Sequence, residues 1–322
     1  MKIIRINNLY KGSDIFSKPK PSTHWLVEKR IPYGSLSALV GESGTGKSTF
    51  LSQLAISVIK RDRTFLGYNL ITRSKKVLYV STEDGLTFTH ERLSKQLGYS
   101  EDMFSSDGIL IDQDPFLSNI WFIFDNKDVI ESITQLLETE SIDLIIVDAY
   151  SDVFEEDMNH ANKVRQFLTE YGKLADQYGC AILFMHHYGK GDRTKAKHKI
   201  LGSAGFEQKM RSILSLDRKD DQSFLKTIKN NYLSHDEGNS ADHLLLGDDL
   251  LFTKIGSFDA GAERAPKRTK LDIILEDHRE VLIEVQNGNL SYKDAIEVLN
   301  DLGISVSEGT IGRAMKRLEQ QQ

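Results

Sequence analysis

The chain has 322 residues, of which 39% are hydrophobic and 27% charged, and its formal net charge is −6. This composition is typical of a soluble globular protein with one large domain and a small one, or with two domains. It argues against a membrane protein, because no apolar run approaches the thickness of a bilayer, and a nucleic-acid partner would need local basic patches. Cys180 is the single cysteine, so no internal disulfide forms, and the N-terminus lacks a signal-peptide core; we therefore expect a cytoplasmic protein.

Residues 1–35 are expected to form an irregular or hairpin-rich lead-in, and 36–40 a short buried strand. A glycine-rich segment follows that strand and fits the phosphate-loop pattern G-x-x-x-x-G-K-[ST]. Its residues are Gly41, Glu42, Ser43, Gly44, Thr45, Gly46, Lys47, Ser48 and Thr49. Backbone N–H groups of such a loop and of the helix after it converge on phosphate oxygens. The pattern thus predicts ATP binding, with Lys47 reaching the β- and γ-phosphates and Ser48 a ligand of Mg²⁺.

Strands and helices alternate beyond the loop, and the strands are continuously apolar. The expected strands are 77–81, 109–111, 144–148 and 181–185, and the expected helices are 49–59, 88–97, 127–140 and 162–178. Three further short strands, 213–216, 225–228 and 250–252, are expected to form a meander at the sheet's edge. This order predicts an α/β fold with a parallel sheet that helices cover on both faces.

Acidic residues follow two of these strands. Asp148 ends the strand 144–148, which we expect beside the phosphate-loop strand, where its carboxylate would hold Mg²⁺ through water. Glu83 follows the strand 77–81 and is the candidate that orients the attacking water, with Asp84 as its competitor. Both acids also have an ordinary interpretation, as caps or turn residues.

Paired histidines, His186 and His187, follow the strand 181–185. Adjacent strand residues point to opposite faces and no spaced ligands accompany them, so we expect a polar residue that senses the γ-phosphate rather than a metal site. The next segment is strongly basic, and its candidate DNA contacts are Lys190, Arg193, Lys195, Lys197 and Lys199. A solvated charged loop remains the alternative for this segment.

The composition changes after Phe252, where we expect the first domain, 1–255, to give way to a linker, 256–270. Three helices are expected in 271–322, over 271–286, 292–302 and 307–320. In the third, apolar residues fall on one side and Arg313, Lys316 and Arg317 on the other, as in the recognition helix of a helix-turn-helix DNA-binding module, with or without a wing. The alternative is a three-helix oligomerisation or partner domain.

Taken together, these residues resemble the RecA-like ATPases, in particular the plasmid RepA-type hexameric replicative helicases. The matching segments are 41–49, 81–84, 144–148, 186–190 and 202–205 leading to Arg211. The resemblance covers about residues 25–255. It implies a homo-oligomeric ring, a hexamer, with Glu83 as the catalytic glutamate and His187 coupling the ATP state to a DNA-facing loop. It also implies that Arg211, or else Lys199, reaches the ATP of the neighbouring subunit.

Three functions are consistent with the sequence. The first is a ring-forming helicase that draws single-stranded DNA through its centre and holds duplex DNA with the C-terminal module. The second is an ATP-dependent DNA-binding switch, such as a loader, regulator or recombination accessory protein, without unwinding activity. The third is a P-loop enzyme such as a small-molecule kinase, which the C-terminal module disfavours.

Overall fold

The computed structural model describes Gly12, Ser13 and residues 23–187, 204–219, 222–234, 240–259, 274–275, 278–301 and 306–320. The chain divides into two compact units, Met1–Asp259 and Ala260–Gln322. Within the described ranges, no helix is long and apolar enough to cross a membrane.

The first unit follows an alternating order of strands and helices. Its strands are β1 (Trp25–Val27), β2 (Ile31–Pro32), β3 (Ser35–Gly41), β4 (Thr64–Phe65), β5 (Tyr68–Asn69), β6 (Val77–Ser81), β7 (Ile120–Ile123), β8 (Leu144–Asp148), β9 (Ala181–His187), β10 (Ser212–Lys219), β11 (Gln222–Asn230), β12 (Ser240–Leu246) and β13 (Phe252–Asp259). Its α-helices are α1 (Lys47–Lys60), α2 (Leu86–Leu97), α3 (Val129–Thr139), α4 (Tyr150–Val153), α5 (Ala161–Tyr178) and α6 (Ala204–Lys209).

The main sheet has nine strands in the described part of the chain, in the order β13-β12-β11-β10-β3-β9-β8-β6-β7. The six strands from β10 to β7 in this order pair in parallel, and β10 to β13 pair antiparallel. The phosphate-loop strand β3 therefore lies inside the sheet. Since parallel strands end at a common edge, the residues after β3, β6, β8 and β9 lie at one edge of the sheet.

Two apolar clusters cover the two faces of the sheet because strand side chains alternate. Leu36, Ala38 and Val40 of β3 pack in one cluster with residues of α3 and α5. Leu39, between them in sequence, packs in the other cluster with residues of α1. The parallel-dominated sheet with helices on both faces confirms the predicted α/β class.

The strand predicted at 109–111 is wrong. Ile109 and Ile111 are 66% and 62% exposed, and only an isolated bridge joins Leu110 to Phe104. The strand that pairs with β6 is β7, at Ile120–Ile123. It carries Trp121 and Ile123, which pack against the core, so the longer apolar run that includes an aromatic residue takes the position in the sheet.

The edge of the sheet also differs from the prediction. The expected strand over 250–252 begins at Phe252 instead and continues to Asp259, past the predicted start of the linker at 256. A further strand, β12, lies between the expected ones and pairs with both neighbours. Its Asp242 and His243 interrupt the apolar pattern, which is why the sequence did not indicate it. Residues 260–273 lie outside the described ranges.

The second unit has three described α-helices, α7 (Arg279–Gln286), α8 (Tyr292–Asp301) and α9 (Glu308–Gln320). They share a core of their own that includes Leu282, Leu299, Ile311 and Leu318, each 0% exposed. Ser291 and Asp294 exchange hydrogen bonds at the start of α8, where the Ser291 amide donates to the Asp294 carboxylate at 2.8 Å. This reciprocal pair forms a capping box, which fixes where α8 begins.

Candidate nucleotide site

The phosphate loop joins the end of β3 to the first turn of α1. Gly46 precedes α1 with φ of +87°, a left-handed conformation that favours glycine. A Cβ atom on Gly41 would lie 2.4 Å from the Leu216 carbonyl oxygen, so this position accepts no side chain. The loop therefore curls tightly onto the helix N-terminus, where the N–H groups of the first turn have no acceptor within the helix and attract anions.

Lys47 lies beneath this loop and is 3% exposed. Its ammonium donates to the carbonyl oxygens of Gly41 at 3.0 Å and Glu42 at 2.7 Å, and it lies 3.1 Å from Nδ1 of His187. Burial lowers the pKa of Lys47 to about 8, although the nearby carboxylates of Glu83 and Asp148 oppose this shift. The Lys47 ammonium donates to two neutral carbonyl oxygens, and its hydrogen bonds to the charged oxygens of an anion would be stronger.

His187 links Lys47 to Glu83, since its Nε2 lies 2.9 Å from Oε1 of Glu83. An ammonium group only donates, so Nδ1 of His187 accepts from Lys47 and Nε2 carries the proton that is donated to Glu83. The two hydrogen bonds form a chain from Lys47 through His187 to Glu83. The structure thus brings together three residues predicted separately from the sequence.

Asp84, the competitor of Glu83, faces elsewhere. Its carboxylate forms an ion pair with Arg92 of α2, and its carbonyl oxygen accepts from the Ser81 hydroxyl at 2.8 Å. Only Glu83 of the two contacts the chain of hydrogen bonds that begins at Lys47.

Asp148 ends β8, but this strand is not the neighbour of β3, because β9 lies between them. The expected adjacency is therefore wrong, and the strand-end His187 occupies the intervening position. Glu83 likewise follows a strand, β6, that does not neighbour β3. Doubly wound sheets insert later strands between earlier ones, which the order of elements along the chain does not indicate.

The carboxylate of Asp148 is 2% exposed, and its Oδ2 accepts from the Tyr79 hydroxyl at 2.6 Å. Burial raises the pKa of Asp148, while the hydrogen bond from the Tyr79 hydroxyl and the nearby Ser48 hydroxyl, which forms no hydrogen bond to Oδ1, lower it. Its Oδ1 is buried and has no hydrogen-bond partner among the described residues. A buried unpaired acceptor costs about 1–3 kcal/mol, which a water molecule on a hard cation such as Mg²⁺ would offset. Asp148 and Ser48 therefore fit a magnesium site.

Thr82 braces the loop that carries Glu83. Its amide donates to the Asp148 carbonyl oxygen at 2.8 Å, and its hydroxyl accepts from the Ala149 amide at 2.9 Å. The same hydroxyl lies 2.8 Å from Oδ2 of Asp152. These contacts tie the ends of β6 and β8 together and hold Glu83 beside the site. Sequence reasoning assigned no role to Thr82, although it lies directly before Glu83 in the matching segment 81–84.

The two histidines have separate environments, as strand alternation predicts. His186 is 6% exposed, and its ring centroid lies 5.4 Å from that of Tyr150 and 5.1 Å from that of Phe206. Burial lowers its pKa to about 4, with smaller contributions from His187 and Lys47. Within the described ranges, no group of three or more His, Cys, Asp or Glu residues is placed to hold a metal ion on protein ligands alone.

Arg211 lies at the other end of the sheet from the phosphate loop. Its amide donates to Leu36 at the start of β3, while the loop begins at Gly41 at the end of that strand. Five residues of strand span roughly 17 Å, farther than an arginine side chain extends. Lys229 lies near Arg211, and the pKa of Lys229 is lowered by burial and by the charge of Arg211. Arg211 therefore does not reach the phosphate loop of its own chain.

Several predicted DNA contacts lie outside the described residues. They are Lys190, Arg193, Lys195, Lys197 and Lys199, the last of which is also the alternative to Arg211. Residues 303–305, which belong to the turn 303–307 expected before the third C-terminal helix, lie outside them too.

In α9 the described residues follow the expected pattern. Ile311, Met315 and Leu318 are 0%, 8% and 0% exposed, and the intervening Ala314 is also buried. Arg313, Lys316 and Arg317 are exposed, and Nε of Arg313 donates to the Gly309 carbonyl oxygen at 3.1 Å. One side of α9 thus packs in the core of the second unit, and the other presents three cations to solvent.

Comparison with known proteins adds two findings. A protein-family model described as an AAA domain matches residues 11–193 of the chain. A solved structure described as "Crystal structure of the RadB recombinase" is similar at 18% sequence identity and a TM-score of 0.49, over 70% of this chain and 93% of that chain. The second similarity is too low to bear on function.

Proposed function

The chain belongs to the AAA-domain family, and we propose that it is a P-loop ATPase of RecA-like fold that works as an ATP-driven motor on DNA. The motor that we infer is a ring-forming replicative DNA helicase of a plasmid or mobile element, assembled as a hexamer. The observation that carries the proposal is the hydrogen-bonded chain from Lys47 through His187 to Glu83.

ATP would place its phosphates on the N–H groups at the start of α1, and Lys47 would exchange the carbonyl oxygens of Gly41 and Glu42 for phosphate oxygens. Contact with phosphate keeps the ammonium charged, so it stabilises the charge that develops on the transferred group. Glu83 then orients and polarises the water that attacks the γ-phosphorus.

Mg²⁺ bound in this site would neutralise part of the phosphate charge. The Ser48 hydroxyl and the Asp148 carboxylate are the groups that would hold it. The buried, unpaired Oδ1 of Asp148 supports this assignment.

His187 is the residue through which hydrolysis would reach DNA. It contacts both Lys47 and Glu83, so a change of charge at the phosphates alters its two hydrogen bonds. The chain continues from His187 directly into the basic segment 190–199, to which we assign contacts with single-stranded DNA. Residues 271–322 are assigned to duplex DNA through a helix-turn-helix, with Arg313, Lys316 and Arg317 of α9 at the phosphates.

A strand-displacement assay on a forked duplex tests the helicase assignment, with Lys47→Ala as the matched inactive protein. We expect ATP-dependent unwinding by the natural chain and none by the variant. Intact ATP hydrolysis and duplex binding without unwinding would instead identify the ATP-dependent switch, which the separate, cation-bearing C-terminal unit also supports.

A further inference from the structure

Tyr79 stands behind the carboxylate of Asp148 and is 1% exposed. In the parallel pair of β6 and β8, Tyr79 lies opposite Ile146 and Ser81 lies opposite Asp148. Tyr79 and Asp148 are thus on neighbouring strands, offset by one two-residue repeat, and point to the same face of the sheet. The tyrosine ring reaches along that face toward the strand ends, and its hydroxyl meets Oδ2 of Asp148 at 2.6 Å.

The ring of Tyr79 is held independently of this hydrogen bond. It packs in the apolar cluster that contains Leu144 and Ile146 of β8, and its centroid lies 5.8 Å from that of Phe122 at an interplanar angle of 30°. The position of the hydroxyl is therefore set by the sheet and not by Asp148. Because the Tyr79 hydroxyl is fixed in place, its hydrogen bond to Oδ2 sets the orientation of the Asp148 carboxylate.

This constraint distinguishes the two carboxylate oxygens. Oδ2 is occupied by the phenol, whereas Oδ1 has no partner among the described residues although it is buried. Residues that orient metal-binding groups from behind commonly act in this way, by accepting or donating a hydrogen bond on the side away from the metal.

We propose that Tyr79 is a positioning residue for magnesium: its hydroxyl holds the Asp148 carboxylate so that Oδ1 is the oxygen presented to the hydrated ion. The inference rests on the proposed ATPase function of the site and adds a residue to it. Tyr79 touches neither the nucleotide nor the metal, and it acts only through Asp148.

Tyr79→Phe removes the hydroxyl and keeps the ring. The test uses the full-length chain and a fluorescent ATP analogue, whose binding is titrated first in EDTA and then with increasing Mg²⁺. We expect unchanged analogue affinity in EDTA and a 10- to 100-fold higher half-saturating Mg²⁺ concentration, roughly the loss found when such supporting residues are removed. The affinity of Mn²⁺ in the ternary complex, measured by electron paramagnetic resonance, should fall by a similar factor.

Tyr33→Phe is the matched control, because Tyr33 is also buried and donates to a buried carboxylate, Asp143, at 3.0 Å. Asp143 precedes β8 whereas Asp148 ends it, so this control removes a buried tyrosine–carboxylate hydrogen bond from the other end of the strand, together with the contact of the Tyr33 hydroxyl to the Ile71 carbonyl oxygen at 2.8 Å. Its Mg²⁺ dependence should match that of the natural chain.

Equal Mg²⁺ dependence of Tyr79→Phe and the natural chain would overturn the inference. The inference would also be overturned if Tyr79→Phe lost as much analogue affinity in EDTA as it does in Mg²⁺. A melting temperature of Tyr79→Phe well below that of Tyr33→Phe would overturn it too, since either result would mark a purely structural hydroxyl. A natural chain that bound no analogue at all would overturn the proposed ATPase function instead, and the inference with it.

Discussion

Glu83 and Asp84 are adjacent acids with different partners, and the difference is visible only in three dimensions. Glu83, after the end of β6, contacts His187, whereas Asp84 forms an ion pair with Arg92 of α2. The sequence named both as candidates because nothing in their immediate neighbours separates them. The choice depends on an arginine eight positions away and on a strand that is more than a hundred residues distant.

Glu83→Gln is predicted to lower kcat for ATP hydrolysis by about 10²- to 10⁴-fold while ATP binding is kept, because the amide orients water but polarises it poorly. Asp84→Asn is the matched variant and should stay within a few-fold of the natural rate. Turnover and ATP affinity of the two variants, measured side by side, check this. A larger loss in Asp84→Asn than in Glu83→Gln would reverse the assignment.

His186 makes a pH-dependent contribution to stability. Its pKa is lowered from 6.5 to about 4, so between these values the unfolded chain binds a proton that the native chain does not. Stability should therefore be lost as pH falls through this window, by about 3 kcal/mol in all. His186→Phe keeps the aromatic packing and should lose about 2 kcal/mol less than the natural chain between pH 7 and pH 5.

Urea unfolding at the two pH values measures this difference. His90→Phe is the control, since His90 is exposed and packs on Phe104. If His186→Phe and the natural chain lose stability equally, the neutral buried state of His186 is ruled out.

Among the elements, the phosphate loop was the most predictable, because its glycines are required by geometry rather than by propensity. Gly41→Ala places a Cβ atom 2.4 Å from the Leu216 carbonyl oxygen of β10, so we predict about 1–3 kcal/mol of destabilisation together with loss of nucleotide binding. Gly85→Ala is the control, since a Cβ there meets nothing within 4 Å. Thermal melts and nucleotide titrations compare them, and equal behaviour would contradict the close approach of the two strands.

Two elements with weaker sequence patterns were predicted wrongly, and each error has a physical cause. Ile109-Leu110-Ile111 has strand-forming residues but no neighbouring strand to pair with, and β7 takes the place beside β6. β12 was missed because Asp242, which is 0% exposed, interrupts its apolar pattern. Ion pairs of Asp242 with Arg30, 3.2 Å away, and with Lys254, 2.8 Å away, make its burial possible, and Arg30 lies 212 residues earlier.

The exposed side of α9 gives a prediction for DNA. Arg313→Ala combined with Arg317→Ala should weaken duplex binding and reduce the slope of log affinity against log salt by about 2, since each arginine is expected to neutralise one phosphate. The two side chains are exposed, so stability should change little. Lys163→Ala with Lys173→Ala is the control, a pair of exposed cations on α5. Equal affinities of the two double variants for duplex DNA would refute the recognition-helix role.

At the scale of the whole molecule, the sheet order explains both what the sequence indicated and what it did not. The motifs after β3, β6, β8 and β9 identified the residues of the candidate site, because parallel strands end at one edge. Sequence patterns assigned no role to Tyr79 or Thr82, since these residues act through Asp148 and Glu83. Arg211 is far from the phosphate loop within its own subunit, so a role in hydrolysis requires a second copy of the chain.

Mixing of variants tests that role. Arg211→Ala alone should lose about 10³-fold or more in ATP turnover and keep ATP binding, as expected for an arginine supplied to a neighbouring site. Lys47→Ala keeps Arg211 but lacks the lysine of the phosphate loop, so it is also expected to be inactive. Mixed assemblies should regain activity, because interfaces form that combine an intact Lys47 with an intact Arg211. Normal hydrolysis by Arg211→Ala alone would exclude the role.

The central claim is that ATP hydrolysis at this site serves action on DNA. Steady-state ATP turnover of the full-length chain, measured with and without single-stranded DNA and with Lys47→Ala as the blank, tests it most directly. We predict Mg²⁺-dependent hydrolysis that rises several-fold with single-stranded DNA and is absent in Lys47→Ala. Hydrolysis that is indifferent to DNA, or that survives in Lys47→Ala, would contradict the account.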